Sequence, residues 1–260
     1  MAILELEDVR VTFRLATGER LTALDGMDLT VEEGELIALV GPSGCGKTTV
    51  LNVLAGEVRP EHGMVRCAGV PVDGVTGRAG YVSQADTLLP WRTVLDNVAL
   101  GLELRGVPRR TRRDRARALM ESIGLAGFEE SFPGELSGGM RKRAAIARVL
   151  ALGPPEVLMM DEPFSPLDAL TRQRLQDDIL DLWDRTGCTI VYVTHDLPEA
   201  IALADRVLLL SSRPGRVVRE YRIDLPRPRR VMDVKLTPRF AELERAIWTD
   251  LQTELREVGP

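Results

Sequence analysis

The sequence predicts an α/β fold: a mostly parallel sheet, preceded by a strand-rich first third and interrupted by a helical insert. Three observations carry that expectation. From residue 36 onward, short apolar strands alternate with helical segments, the pattern of a parallel sheet with crossover helices. Before that point, polar and apolar residues alternate with period two. Between about residues 92 and 150 the strand signal stops. At 260 residues the chain is long enough for one large domain with a substantial core.

The elements follow in order. Val9, Val11 and Phe13 alternate with polar neighbours, as do Met27, Leu29 and Val31 ahead of the turn-like Glu32–Glu35. Leu36–Val40 is an apolar strand, Gly41–Gly46 a glycine-rich loop, and Val50–Ala55 an apolar segment that reads as helix. Gly80–Gln84 is a short strand. An Arg-dense stretch, Arg109–Arg117, reads as a solvated helix face. The strand pattern returns at Val157–Met160, a helix follows through Leu175, Ile179, Leu182 and Trp183, and Thr189–Thr194 and Val207–Leu210 are further strands. Residues 213–239 hold nine basic and three acidic residues with four prolines, which suggests extended surface chain. The chain then ends in a helix, with Thr237 as N-cap and Pro238 at the first position. Phe240, Leu243, Ile247, Leu251, Leu255 and Val258 give that helix one apolar face.

Composition removes several classes. No apolar run exceeds five residues, so no transmembrane helix is expected. The N-terminal MAILELEDVR places acids within its first eight residues, unlike a cleavable signal. Cys45, Cys67 and Cys188 are odd in number and widely spaced, so neither a disulfide framework nor a zinc site is indicated, and a reduced, cytosolic chain is the default. The net charge of −5 gives no general affinity for polyanions, and no nucleic-acid partner is expected. The basic residues are nearly all arginine, 31 against three lysines (Lys47, Lys142 and Lys235), and there are two histidines, His62 and His195.

Gly41-Pro42-Ser43-Gly44-Cys45-Gly46-Lys47-Thr48 fits the phosphate-loop pattern G-x-x-x-x-G-K-[ST], after a strand and before a helix as that motif requires. Its glycines let backbone N–H groups turn inward around phosphate oxygens at a helix N-terminus. Lys47 then reaches the β- and γ-phosphates of a nucleotide, with Thr49 beside it, and the Thr48 hydroxyl binds Mg²⁺. The metal needs a further carboxylate at the end of an apolar strand, and Asp161 supplies it. Glu162, next in sequence, can orient or deprotonate an attacking water. A solvated acidic pair at a strand end is the bland alternative for these two.

Leu136-Ser-Gly-Gly-Met-Arg141 opens another helix with Ser137 as N-cap; Gln84 closes one short strand and His195 another. In this order and spacing, roughly residues 3–215 resemble the ATP-binding cassette (ABC) ATPases. The resemblance implies a P-loop NTPase core, an N-terminal antiparallel β subdomain and a helical subdomain at approximately 92–150, within an ABC ATPase domain spanning 1–215. Residues 216–260 are then a C-terminal extension. It further implies ATP with Mg²⁺ and a head-to-tail dimer, in which Ser137, Gly138 and Gly139 contact the γ-phosphate held by the second copy. Gln84 would sense Mg²⁺ and the attacking water, His195 would hold the γ-phosphate and the base, Asp168 would lie across the seam, and Phe13 would stack on adenine. A strand Phe serves equally well as core. Two positions depart from the family pattern: Met140 stands where Gln is usual, and Pro166 where Ala or Gly is commoner.

Leu88-Leu-Pro-Trp91, LSGGMRKR and the Arg-Pro-Gly-Arg216 tail resemble the importer subgroup serving nitrate, sulfonate, taurine and related solutes. This implies a peripheral subunit on the cytoplasmic face of the membrane, paired with permease subunits contacting Leu88, Leu89 and Trp91 and indirectly with a solute-binding protein. Packing between subdomains is the other use for those apolar residues. A soluble ABC ATPase in translation or DNA work is the alternative function. Such proteins usually carry two cassettes or a long coiled-coil insert, whereas 89 residues separate Lys47 from Ser137 here. A P-loop small-molecule kinase would leave the Ser137 motif and His195 unexplained.

Overall fold

A computed structural model describes residues 1–153, 155–165 and 167–257, without the side chains of 256 and 257. Pro166 and Val258, singled out above, lie outside the described residues. In chain order the elements are β1 (Ala2–Arg14), β2 (Arg20–Glu32), β3 (Leu36–Val40), α1 (Lys47–Ala55), β4 (His62–Cys67), β5 (Val70–Pro71) and β6 (Ala79–Val82). The helical region holds α2 (Val94–Val98), α3 (Leu100–Leu104), α4 (Arg109–Ser122), a 3₁₀ turn at Pro133–Glu135 and α5 (Gly138–Leu150). There follow β7 (Val157–Asp161), α6 (Ala169–Thr186), β8 (Thr189–Val193), α7 (Leu197–Leu203), β9 (Arg206–Leu210), β10 (Val217–Arg222), α8 (Val231–Lys235) and α9 (Pro238–Glu257).

Two sheets organise the chain. The antiparallel one has strand order β2-β1-β4-β5, and the six-stranded one runs β10-β9-β3-β8-β7-β6. In the larger sheet β6, β7, β8, β3 and β9 are mutually parallel, and only β10 runs antiparallel, as the far edge. All five residues of β3, β7 and β8 are buried, because both faces of a parallel sheet are covered. The pleat divides them strictly. Leu36, Ala38, Leu158, Met160, Ile190 and Tyr192 join the core shared with α6, α7 and α9. Ile37, Leu39, Val157, Met159, Val191 and Val193 join the core beneath α1 and the antiparallel sheet.

The helical region has its own core. Val94, Leu95, Val98, Ala116, Met120, Leu136, Ala144 and Ala147 pack together, and Leu88 packs with them. Most of the Arg-dense segment faces solvent on α4, where Ala116 and Met120 are the buried residues. Gly139 lets α5 approach α6 closely: a Cβ there would lie 2.2 Å from Thr171 Cγ2. This contact joins the helical region to the parallel sheet's own helix.

Two expectations of secondary structure need correction. The strands expected to close at Gln84 and His195 stop at Val82 and Val193, which leaves both residues on the loops that follow. The stretch 213–239 is not extended surface chain. Val217–Arg222 completes the larger sheet as β10, and Ile223, Leu225, Val231 and Val234 are buried in its core. The misleading signal was charge. Arg229 is buried, yet its guanidinium donates to the carbonyls of Ala204 (2.6 Å), Ile223 (3.0 Å) and Leu225 (2.9 Å), closing the backbone around itself. On α9 the apolar face is buried at Phe240, Leu243 and Ile247, and Thr237 caps the helix by accepting from Phe240 N–H at 3.3 Å. Among the described residues no helix is long and apolar enough to cross a membrane.

Candidate active site

The carboxyl ends of the parallel strands hold the chemistry, the usual place for it in such sheets. Gly41–Gly46 turns from β3 into α1, with Gly44 at φ +74° and Gly46 at φ +103°. Those left-handed conformations aim successive amides inward, and Gly46 has a second reason: a Cβ would sit 2.9 Å from Ala23 O. Lys47, the first residue of α1, is buried and donates to Gly41 O (2.8 Å) and Pro42 O (2.9 Å). The Thr48 hydroxyl donates to Asp161 Oδ1 at 3.3 Å. Thus the hydroxyl and carboxylate chosen from sequence as a metal pair meet across 113 residues of chain. Burial pushes the Asp161 carboxyl up, while the Thr48 bond works against that rise. A divalent cation between these oxygens would relieve the buried negative charge, and Mg²⁺ characteristically takes one or two protein oxygens beside phosphate and water. The pair therefore fits Mg²⁺.

Glu162 is the hinge of the site. Its φ of +42° turns the chain out of β7, and its N–H donates to Val193 O (3.0 Å) on the neighbouring strand. The carboxylate is held from both sides: Gln84 Nε2 donates to Oε2 at 3.2 Å, and His195 Nδ1 lies 3.2 Å from Oε1. Glu162, His195, Ser43, Gly44, Gly46, Lys47, Thr48, Thr49 and Phe13 line one cleft of about 360 Å³. Phe13, with relative exposure of 39%, stands on that wall and not in the core. Gln84 reaches the cleft through Glu162.

Other expected residues lie apart. Ser137 caps α5, its Oγ accepting from Met140 N–H at 3.3 Å, and Gly138 and Gly139 form the first turn. Asp168 caps α6, and hydrogen bonding from the Thr171 side chain, with its N–H, holds its carboxyl below the usual range. None of these four lines the Lys47 cleft. Of the residues expected to meet a permease, Leu88 is withdrawn into the helical region's core and Leu89 is half-buried. Trp91 remains 71% exposed. Leu88 is therefore corrected from surface contact to core residue: four residues after Gln84, it enters the apolar cluster that roots the loop.

Sequence reasoning passed over three supporting groups. Lys142, on α5, is buried and donates to Ser83 O (3.0 Å) and Gln84 O (2.7 Å), so it fixes the backbone that carries Gln84. Arg172 bridges Asp196 Oδ2 (3.3 Å) and Leu167 O (3.0 Å), joining the His195 loop to the loop before α6. Behind His195, the nearly enclosed Glu199 accepts from Gln176 Nε2 (3.0 Å), and burial pushes its carboxyl up to about 7. The scarcity of lysine was a usable signal for Lys142; nothing local marked the other two.

Comparison with known proteins agrees with this geometry. Residues 24–165 match the ABC transporter family. The chain is 44% identical over 252 residues to an uncharacterised ABC transporter ATP-binding protein of Methanocaldococcus jannaschii, covering 97% of this chain and 92% of that protein. It is 43% identical over 262 residues to the taurine import ATP-binding protein TauB of Burkholderia pseudomallei, covering 99% and 100%. Among solved structures, the dimeric post-hydrolysis state of the ATP-binding cassette MJ0796 with ADP and Pi superposes with a TM-score of 0.75 at 30% identity, covering 86% of this chain and all of that one. On its phosphate loop, its Asp161–Glu162 pair and these likenesses, the chain belongs to the ABC transporter family, as an ATPase that uses ATP with Mg²⁺.

Proposed function

We propose that this chain is the ATP-hydrolysing subunit of a membrane importer for a small solute of the taurine, sulfonate or nitrate kind. It works as a head-to-tail dimer on the cytoplasmic face of the membrane, with permease subunits around Trp91 and a solute-binding protein further out. Near-complete coverage of a taurine import subunit at 43% identity supports the importer class. The observation that carries the chemistry is Glu162, held between Gln84 and His195 in the cleft that contains the phosphate loop. The division we adopt is an ATPase domain over 1–215, with its helical part at about 92–150, and an extension over 216–260 that continues the same sheet as β10.

In this reading Phe13 stacks on adenine, while the Gly41–Gly46 amides and Lys47 bind the phosphates. Thr48 and Asp161 hold Mg²⁺, which supplies positive charge against the negative charge developing on the transferred phosphoryl group. Gln84 orients the attacking water. Glu162 Oε accepts its proton as the water O–Pγ bond forms and the Pγ–O bond to the β-phosphate breaks, ADP being the leaving group, and His195 keeps that carboxylate aimed. Ser137, Gly138 and Gly139 lie outside their own cleft, so they serve the second copy's nucleotide, with Asp168 at the seam. A helix N-terminus with two glycines suits that task, since its amides meet the γ-phosphate without side-chain obstruction.

Glu162→Gln tests this. It keeps the size of the side chain but removes the proton acceptor, so ATP binding persists, turnover falls at least a hundredfold and a nucleotide-bound dimer accumulates on light scattering. Wild-type turnover in that variant would remove Glu162 from the role of base.

A further inference from the structure

The turn between β9 and β10 adds a charged group to the cleft that the phosphate-loop pattern does not include. Ser211 N–H donates to Arg216 O (2.9 Å), and its hydroxyl donates to Pro214 O (2.9 Å) and accepts from Arg216 N–H (3.1 Å). Gly215 N–H donates to Ala23 O at 2.8 Å. Gly215 also lies so close to the phosphate loop that a Cβ there would meet Cys45 O at 2.1 Å. The turn is therefore seated against the loop.

Arg213 projects from this seat. Its Nε and one terminal nitrogen donate to Gly44 O, at 3.1 and 3.0 Å. The same terminal nitrogen lies 2.8 Å from where a Cβ of Gly44 would be, so the guanidinium covers the one loop residue whose missing side chain leaves room for it. Among the described residues Arg213 forms no salt bridge, although most arginines of this chain do. A guanidinium has five N–H donors, and one carbonyl uses only the inner edge of the fork. The cleft wall includes Arg213 and Lys47 as its two full cations, against the single carboxylate of Glu162.

We propose that Arg213 is a further nucleotide-binding residue, donating its free N–H groups to the phosphate chain of the nucleotide held by its own subunit. This rests on the nucleotide-site reading above. The carbonyl of Gly44 fixes the orientation of the guanidinium, and the outer edge of the fork supplies charge-assisted bonds to phosphate oxygens. The turn after β9 thus becomes part of the nucleotide site, and residues beyond 210 take part in binding.

The test measures equilibrium affinity of the full chain for ATP, ADP and adenosine, with Arg213→Ala, Arg213→Lys and Lys47→Ala compared at low and high salt. Arg213→Ala should weaken ATP and ADP about tenfold while adenosine binding and the melting temperature stay unchanged. Arg213→Lys should recover part of the loss, and the loss should shrink in high salt. Equal weakening of adenosine, or unchanged ATP affinity while Lys47→Ala loses it, overturns the proposal alone. Unchanged ATP affinity in Lys47→Ala as well would overturn the nucleotide-site reading beneath it.

Discussion

Glu199 offers the most quantitative test of how the site is held. The residue is 3% exposed on α7, behind His195. Thr194 and Gln176 bond its carboxyl and Arg172 attracts it, but desolvation outweighs all three, and Asp196 adds repulsion. The carboxyl therefore rises from its ordinary 4.5 to about 7. Between those values the folded chain keeps a proton that the unfolded chain releases, so stability falls as pH rises through the window. The full deficit is present above pH 7 and amounts to roughly 3 kcal/mol. Glu199→Gln keeps the shape and an acceptor for Gln176 but does not titrate. The variant should match the wild type near pH 4.5 and exceed it by ~3 kcal/mol at pH 8.5. For a chain of this size that corresponds to about 5–10 °C in melting temperature. Melts at half-unit steps from pH 4.5 to 8.5, with urea titrations at both ends, measure it. A stability difference that does not change with pH, or a wild type more stable at pH 8.5, would refute the reasoning.

Lys142→Met keeps the length of a buried side chain but removes both donors to the Ser83 and Gln84 carbonyls. Turnover should fall about tenfold or more with little change in ATP affinity, and stability should drop by about 1–3 kcal/mol, read by steady-state kinetics and denaturant titration. Trp91→Glu changes only an exposed surface, so the isolated ATPase rate should hold while co-purification with membrane subunits from the native host is lost.

The parts of the site legible in the sequence were those whose chemistry requires fixed spacing. A phosphate loop needs its glycines and Lys47 contiguous, and a metal carboxylate needs the apolar strand that ends at Asp161. What stayed hidden were interactions closed by distant chain. Arg213 meets Gly44 across 169 residues and Arg172 meets Asp196 across 24, and no local pattern encodes either. The stretch after β9 was misread for a related reason. Charge and proline mark exposed chain on average, but a guanidinium that satisfies several carbonyls can be buried, as Arg229 is. Trp183 shows the same economy: its ring lies under the Arg227 guanidinium, 4.2 Å from the centroid, while its indole N–H donates to Gly34 O at 3.0 Å.

The burial of two lysines has a practical side. Lys47 and Lys142 are both enclosed and tied to backbone carbonyls, so among the described residues the more open amines are Lys235, half-buried on α8, and the α-amino group of Met1. The Met1 ammonium pairs with Glu32 at 2.6 Å, at the end of the antiparallel sheet. Amine-directed labelling thus favours these two addresses, neither on the wall of the phosphate-loop cleft, over Lys47, which is on it. A dye or surface attached through them stands clear of that cleft, and a Lys235→Arg substitution leaves one of the two.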